Sequence, residues 1–152
     1  MQSVIISDTS CLVILSKIDK LYILHKLYGS ISVTPEVANE YGKGLPDWVV
    51  TQKVTNQEIQ QLINSSLDLG ESSSIALALE MERPLLILDD LKARNFAKSL
   101  NLPYTGTLGI ILNAKKNGII ESVKDLLNQI QKTDFRIEKK IIQAVEKLAN
   151  EV

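Results

Sequence analysis

Two short aliphatic runs in this chain end on aspartate: Val4-Ile5-Ile6-Ser7-Asp8 and Leu85-Leu86-Ile87-Leu88-Asp89-Asp90. An aliphatic run bounded by polar residues reads as a buried strand of a parallel sheet. Such sheets bind ligands beyond the carboxyl ends of their strands. Carboxylates delivered there by separate strands can therefore share one site. A group of carboxylates with no basic residue beside it is what a divalent cation needs.

The remaining pattern supplies the other layers. Asp8-Thr9-Ser10 are good N-cap residues for a helix carrying Leu12, Ile14, Leu15 and Ile18, and a second short helix follows at about 21–27. Ile31-Ser32-Val33 is β-rich, and Thr34-Pro35 then gives a cap with proline at the first helical position. An extended segment is expected within 48–54 and a short strand near Tyr104, with helices at about 56–63, 68–81, 91–100, 108–116, 122–132 and 137–150. Strands alternating with helices predict an α/β sandwich of three layers around a central, mostly parallel sheet, closed by C-terminal helices. In the last helix Ile137, Ile141, Ile142, Val145 and Leu148 fall on one side, a stripe expected to pack against the core or a second copy.

Composition narrows the chemistry. The 152 residues suit one domain, and 17 basic against 18 acidic residues exclude a uniformly basic nucleic-acid-coating surface, though not a local patch. The single cysteine, Cys11, excludes an internal disulfide, and it lies in an apolar stretch that makes it a small core residue. The single histidine, His25, has no second histidine or cysteine nearby, so zinc ligation and histidine-assisted nucleophiles are poorly served. No segment has the length of a membrane span and no signal peptide is visible, so a cytoplasmic protein with no membrane partner is expected.

Each carboxylate has a structural reading beside the functional one. Asp8 suffices as a helix cap. Asp89 and Asp90 both precede a helix, but capping accounts for one of them, and adjacent carboxylates repel unless a cation intervenes. Glu71 sits four residues before Ile75, on the face that Ile75, Ala78 and Leu79 are expected to bury, where an unpaired carboxylate is costly. A metal or an arginine must meet it. Ser72-Ser73-Ser74 offer hydroxyls or merely start the helix. Glu40, on its own, reads as a solvated helix residue.

Four segments in order, Ile6-Ser7-Asp8-Thr9-Ser10, Pro35-Glu36-Val37-Ala38-Asn39-Glu40, Gly70-Glu71 with Ser72-Ser73-Ser74-Ile75-Ala76-Leu77-Ala78, and Leu88-Asp89-Asp90-Leu91-Lys92-Ala93-Arg94, resemble the PIN-domain ribonucleases, in particular VapC-like toxins of prokaryotic toxin–antitoxin pairs. Gly106-Thr107-Leu108-Gly109 is similar to a PIN-like subgroup. The resemblance implies a single PIN-like domain over 1–152, with a core at about 4–115 and a C-terminal helical extension at about 119–151. It implies a metal-dependent endoribonuclease with Asp8, Glu40, Glu71 and Asp90 as the catalytic acids. The acids Asp8, Glu71, Asp90 and Asp89 would hold Mg²⁺ or Mn²⁺. The third acid is commonly Asp in VapC-like toxins and is Glu71 here, and Leu88 stands where a threonine is usual.

Thr9, Ser10, Thr107, Lys92 and Arg94 are candidates for contact with the RNA substrate. Arg94 has the alternative of an ordinary helix ion pair with Asp90. The expected partners are RNA, a small antitoxin protein and a second copy in a homodimer. Two other readings stay open: a non-catalytic PIN-like module that binds RNA or protein, and a receiver-type phosphoacceptor domain. Receivers carry their acidic pair on the first strand, whereas here the pair comes late.

Overall fold

Ile5 and Ile6 point to opposite sides of strand β1 (Val4–Ser7) and both are buried, so this strand needs cover on both faces. A computed structural model describes residues 3–151; Met1, Gln2 and Val152, at the ends of the expected 1–152 domain, lie outside the described residues. It places β1 in the middle of a five-stranded sheet with β2 (Ile31–Val33), β3 (Val49–Thr51), β4 (Pro84–Ile87) and β5 (Tyr104–Thr105). The order is β3-β2-β1-β4-β5, and every pairing is parallel.

Nine helices among the described residues cover the sheet: α1 (Thr9–Lys17), α2 (Tyr22–Tyr28), α3 (Pro35–Tyr41), α4 (Gln57–Asn64), α5 (Leu69–Leu79), α6 (Leu91–Ser99), α7 (Thr107–Lys116), α8 (Val123–Gln131) and α9 (Lys139–Leu148). Ile5 and Ile87 join Leu12, Leu15, Ile110 and Leu127 in the core on one face. Ile6, Leu86 and Leu88 join Ile63, Ile75, Leu77 and Ala97 on the other. Each fully buried Ile or Leu stabilises this arrangement by about 1.5–3 kcal/mol relative to exposure. The three-layer α/β sandwich expected from the alternation is the fold observed. No helix among the described residues is long and apolar enough to cross a membrane.

Two details differ from the sequence pattern. Helix α5 is buried from Ser72 to Ala78 without a break, because α3, α4 and β4 all pack on it, whereas Leu79 is 41% exposed. The buried face drawn through Leu79 is therefore wrong. On α9 the apolar stripe splits: Val145 is buried and Ile142 half-buried, but Leu148 is 73% exposed. Leu148, the last residue of α9, faces away from the core that Val145 and Ala149 join.

The topology fixes where a site must lie. From β1 the chain moves outward to β2 and β3, then crosses back to pair β4 with the other edge of β1. The carboxyl ends of β1 and β4 flank the point where the winding reverses, the place where open α/β sheets leave a crevice. Ser7 pairs with Ile87, so the residues that follow, Asp8 and Leu88-Asp89-Asp90, emerge side by side there.

Candidate active site

Asp8 follows β1 in extended backbone and caps α1, accepting from the Cys11 N–H at 3.0 Å through Oδ1. Its Oδ2 accepts from the Asp89 N–H at 3.0 Å, which ties the ends of β1 and β4 together. The residue is 3% exposed. Burial, then the charges of Asp89 and Glu71, push its carboxyl up to about 7, although the two N–H donors work in the opposite direction. Capping explains one oxygen of Asp8. It does not explain a carboxylate buried against other acids.

Glu71 lies in the first turn of α5, half-buried. Burial and the neighbouring charges of Asp90, Asp68 and Glu40 raise its pKa. Glu40, from α3, reaches across to accept from the Thr9 hydroxyl at 2.5 Å and from the Gly70 N–H at 3.2 Å. Gly70 has to be glycine for this approach, since a Cβ there would run into the Glu40 carboxylate. Asp8, Thr9, Ser10, Glu40, Asp68 and Glu71 together line a cavity of about 110 Å³. Among the described residues, ion pairs join Lys17 to Asp134, Arg94 to Asp89 and Lys115 to Glu151, and none reaches Asp8, Glu40, Asp68, Glu71 or Asp90. No arginine among the described residues meets Glu71; a hydrogen bond from the Asp68 backbone at the start of α5 works against the upward push of burial on its carboxyl.

The two adjacent aspartates have separate tasks. Asp90 caps α6, accepting from the Ala93 N–H at 2.9 Å. Asp89 accepts from the Thr107 N–H at 2.8 Å and from its hydroxyl at 2.5 Å, holding the start of α7 against the end of β4. Arg94 donates from Nε to the Leu88 carbonyl at 2.6 Å, lies over the Tyr104 ring and has Nη2 3.9 Å from Asp89. Its carboxylate neighbour is thus Asp89, not the Asp90 that helix spacing suggests. Gly106 admits this packing, because a Cβ there would strike the Arg94 guanidinium.

A family model described as a PIN domain matches residues 4–151. The chain belongs to the PIN-domain family. PIN domains are in general nucleases, hydrolases that use divalent metal ions. No curated protein and no solved structure matches the chain.

For this PIN-domain protein the donor chemistry fits such an ion: hard carboxylate oxygens, mutually repelling, with no ammonium or guanidinium compensating those around the cavity. As the side chains stand, no group of three or more His, Cys, Asp or Glu among the described residues is arranged to hold one ion. The reason is visible in the bonds above, where Asp8, Glu40, Asp89 and Asp90 each accept from a donor of the protein itself. Each of these carboxylates keeps further lone pairs, so binding a cation requires the acids to draw together rather than to give up these donors.

The structure brings Asp8, Glu40 and Glu71 to one cavity with Thr9 and Ser10. Asp90 acts electrostatically on Glu71, and Asp89 on Asp8. Lys92 is exposed, two residues after Asp90, whereas Thr107 is buried under Asp89. The serines Ser72, Ser73 and Ser74 bond to carbonyls of their own helix, and Ser73 and Ser72 also reach Thr34 and Asn64, so they tie α5 to its neighbours rather than line the cavity. Sequence reasoning missed Asp68. It begins α5 without bonding its side chain to that helix, and it lines the cavity instead. Its signal was available: Asp68 is three residues before Glu71, one turn away on the same side.

Proposed function

We propose that this PIN-domain protein is a metal-dependent endoribonuclease that hydrolyses RNA phosphodiester bonds, and that it is the VapC-like toxin of a toxin–antitoxin pair. One observation carries the nuclease reading. Carboxylates from β1, α3, α5 and the end of β4 meet at the reversal point of the sheet, two of them with raised pKa, and no basic side chain pairs with those around the cavity.

Asp8 and Glu71 would hold the ion, with Glu40, Asp68 and Asp90 close enough to complete its surroundings. With Mg²⁺ or Mn²⁺ held there, the site would gain a Lewis acid able to activate water and to offset negative charge on a phosphodiester. Asp8 is fixed for this by two backbone N–H groups. Thr9 orients Glu40, and Asp89, clamped by Thr107, keeps the strand end in place. Lys92, exposed beside Asp90, supplies positive charge for the RNA backbone. The toxin role rests on the order of the four acidic segments. It entails a small antitoxin that masks the site, a homodimer as the working unit and a cytoplasmic RNA target.

The test compares RNA cleavage in Mg²⁺ or Mn²⁺ by wild type, Asp8→Asn and Glu71→Gln. Loss of about 100-fold or more in each variant is expected, on the scale of a displaced electrostatic contributor. Equal activity in all three proteins refutes the catalytic assignment. A second reading, a PIN-like module that binds without cutting, is favoured by the acids already holding protein donors. Tight Mn²⁺ binding with no hydrolysis would select it.

A further inference from the structure

Beside the acids lies a larger cavity of about 370 Å³, walled by Ile14, Leu108, Phe135 and Ile141. Its volume falls in the roughly 300–1,000 Å³ range of pockets that enclose small organic groups. Ser10 lines both this cavity and the acidic one, and Asp89 and Thr107 also contribute to its lining. The two spaces therefore adjoin. Its other polar groups are Arg136 and Glu138. Arg136 is fixed by the loop, with Nη1 donating to the carbonyls of Gln131 at 3.2 Å, Phe135 at 3.1 Å and Thr133, and no carboxylate among the described residues is ion-paired with it. Glu138 begins α9 without bonding its side chain to that helix.

We propose that this cavity receives an unpaired RNA base next to the phosphate held at the acids, and so selects where the strand is cut. The inference rests on the ribonuclease reading and deepens it. A nucleobase has flat apolar faces and hydrogen-bonding edges, and it is tethered to a phosphate. The cavity offers apolar walls, an aromatic ring, a fixed cationic donor and an anionic acceptor, and it opens beside the proposed phosphate site. Recognition of this kind needs the base free of its duplex partner. Arg136 and Glu138 are exposed at the edge of the cavity, where they meet the polar edges of a base; the apolar face of a peptide helix has no counterpart for them.

Amide spectra of the metal-free protein, titrated separately with AMP, GMP, CMP and UMP, test the cavity without requiring catalysis. Shifts confined to Leu108, Phe135 to Ile137 and Ile141, unequal among the four nucleotides, are expected. Ile141→Trp, which fills the cavity from its exposed rim, should abolish them, and Phe135→Ala should weaken them. In cleavage of short RNAs, Ile141→Trp should lower kcat/KM about tenfold at the preferred sequence, the loss of one stacked base, and so narrow the gap between preferred and poorly cut sequences. Absent nucleotide shifts, or unchanged cleavage preference in both folded variants, overturn the proposal. So does a response to an amphipathic Leu/Lys helical peptide with none to nucleotides. Wild type that cuts no RNA yet shows the nucleotide shifts refutes the nuclease reading alone.

Discussion

Replacing Asp8 with asparagine removes a buried negative charge while keeping the shape of the side chain. The Asp8 carboxyl is raised from 3.8 to about 7 by burial and by the charges of Asp89 and Glu71. A group with a higher pKa in the folded protein binds its proton more tightly there. Ionisation therefore costs no stability below about pH 3.8, costs progressively more between 3.8 and 7, and its full cost is present above 7. Roughly three pH units at about 1.36 kcal/mol each give about 4 kcal/mol. The asparagine side chain would still accept from the Cys11 N–H, but its amide would face the Asp89 N–H, at a cost of about 1–3 kcal/mol. The net expectation for metal-free Asp8→Asn at pH 8 is a gain of about 1–3 kcal/mol. Urea unfolding in EDTA at pH 8 and pH 4 measures it. At pH 4 the advantage should vanish or reverse. Adding Mn²⁺ should stabilise wild type at pH 8 and leave Asp8→Asn little changed. A variant less stable than wild type at pH 8, or one equally stabilised by Mn²⁺, refutes the reasoning.

Three further outcomes follow from particular contacts. Gly70→Ala should leave stability within about 1 kcal/mol, since alanine favours the helix, yet it displaces the Glu40 carboxylate; cleavage kinetics should show a loss of activity in a fully folded protein. Gly106→Ala should cost about 1–3 kcal/mol in thermal or urea unfolding, because the new Cβ meets the Arg94 guanidinium and Asp89 Oδ1. Glu151 resists the upward push of burial because Lys115, the Val123 and Lys124 N–H groups and the Ser122 hydroxyl hold its carboxyl at about 2. Its stabilisation is present above about pH 4.5 and lost as pH falls toward 2. Glu151→Gln should therefore weaken amide-exchange protection of α8 and α9 at pH 7 and match wild type near pH 2.

The positions of Asp8 and Asp89 were legible in the sequence because strand ends follow from short aliphatic runs, and a parallel sheet puts those ends on one edge. The cap at Thr34-Pro35 and the run of helices were legible for similar local reasons. What the sequence did not disclose depends on contacts between distant elements. Nothing near Asp89 announces that Thr107, eighteen residues on, occupies both of its oxygens. Helix spacing pairs Arg94 with Asp90, but the Leu88 carbonyl and the Tyr104 ring draw the guanidinium toward Asp89. Periodicity also assumes one buried face, which fails for α5, enclosed by α3, α4 and β4. Asp68 was passed over as a helix starter, although its side chain makes no bond to that helix and the residue lines the acidic cavity.

The claim that these acids form one cation site is tested most directly by where Mn²⁺ binds. Substoichiometric Mn²⁺ added to ¹⁵N-labelled protein broadens the amides nearest the ion. Broadening should centre on Asp8 to Ser10, Glu40, Gly70-Glu71 and Asp89-Asp90, and should disappear in the Asp8→Asn, Glu71→Gln double variant. Broadening centred on other residues, or unchanged in that folded double variant, would contradict the account.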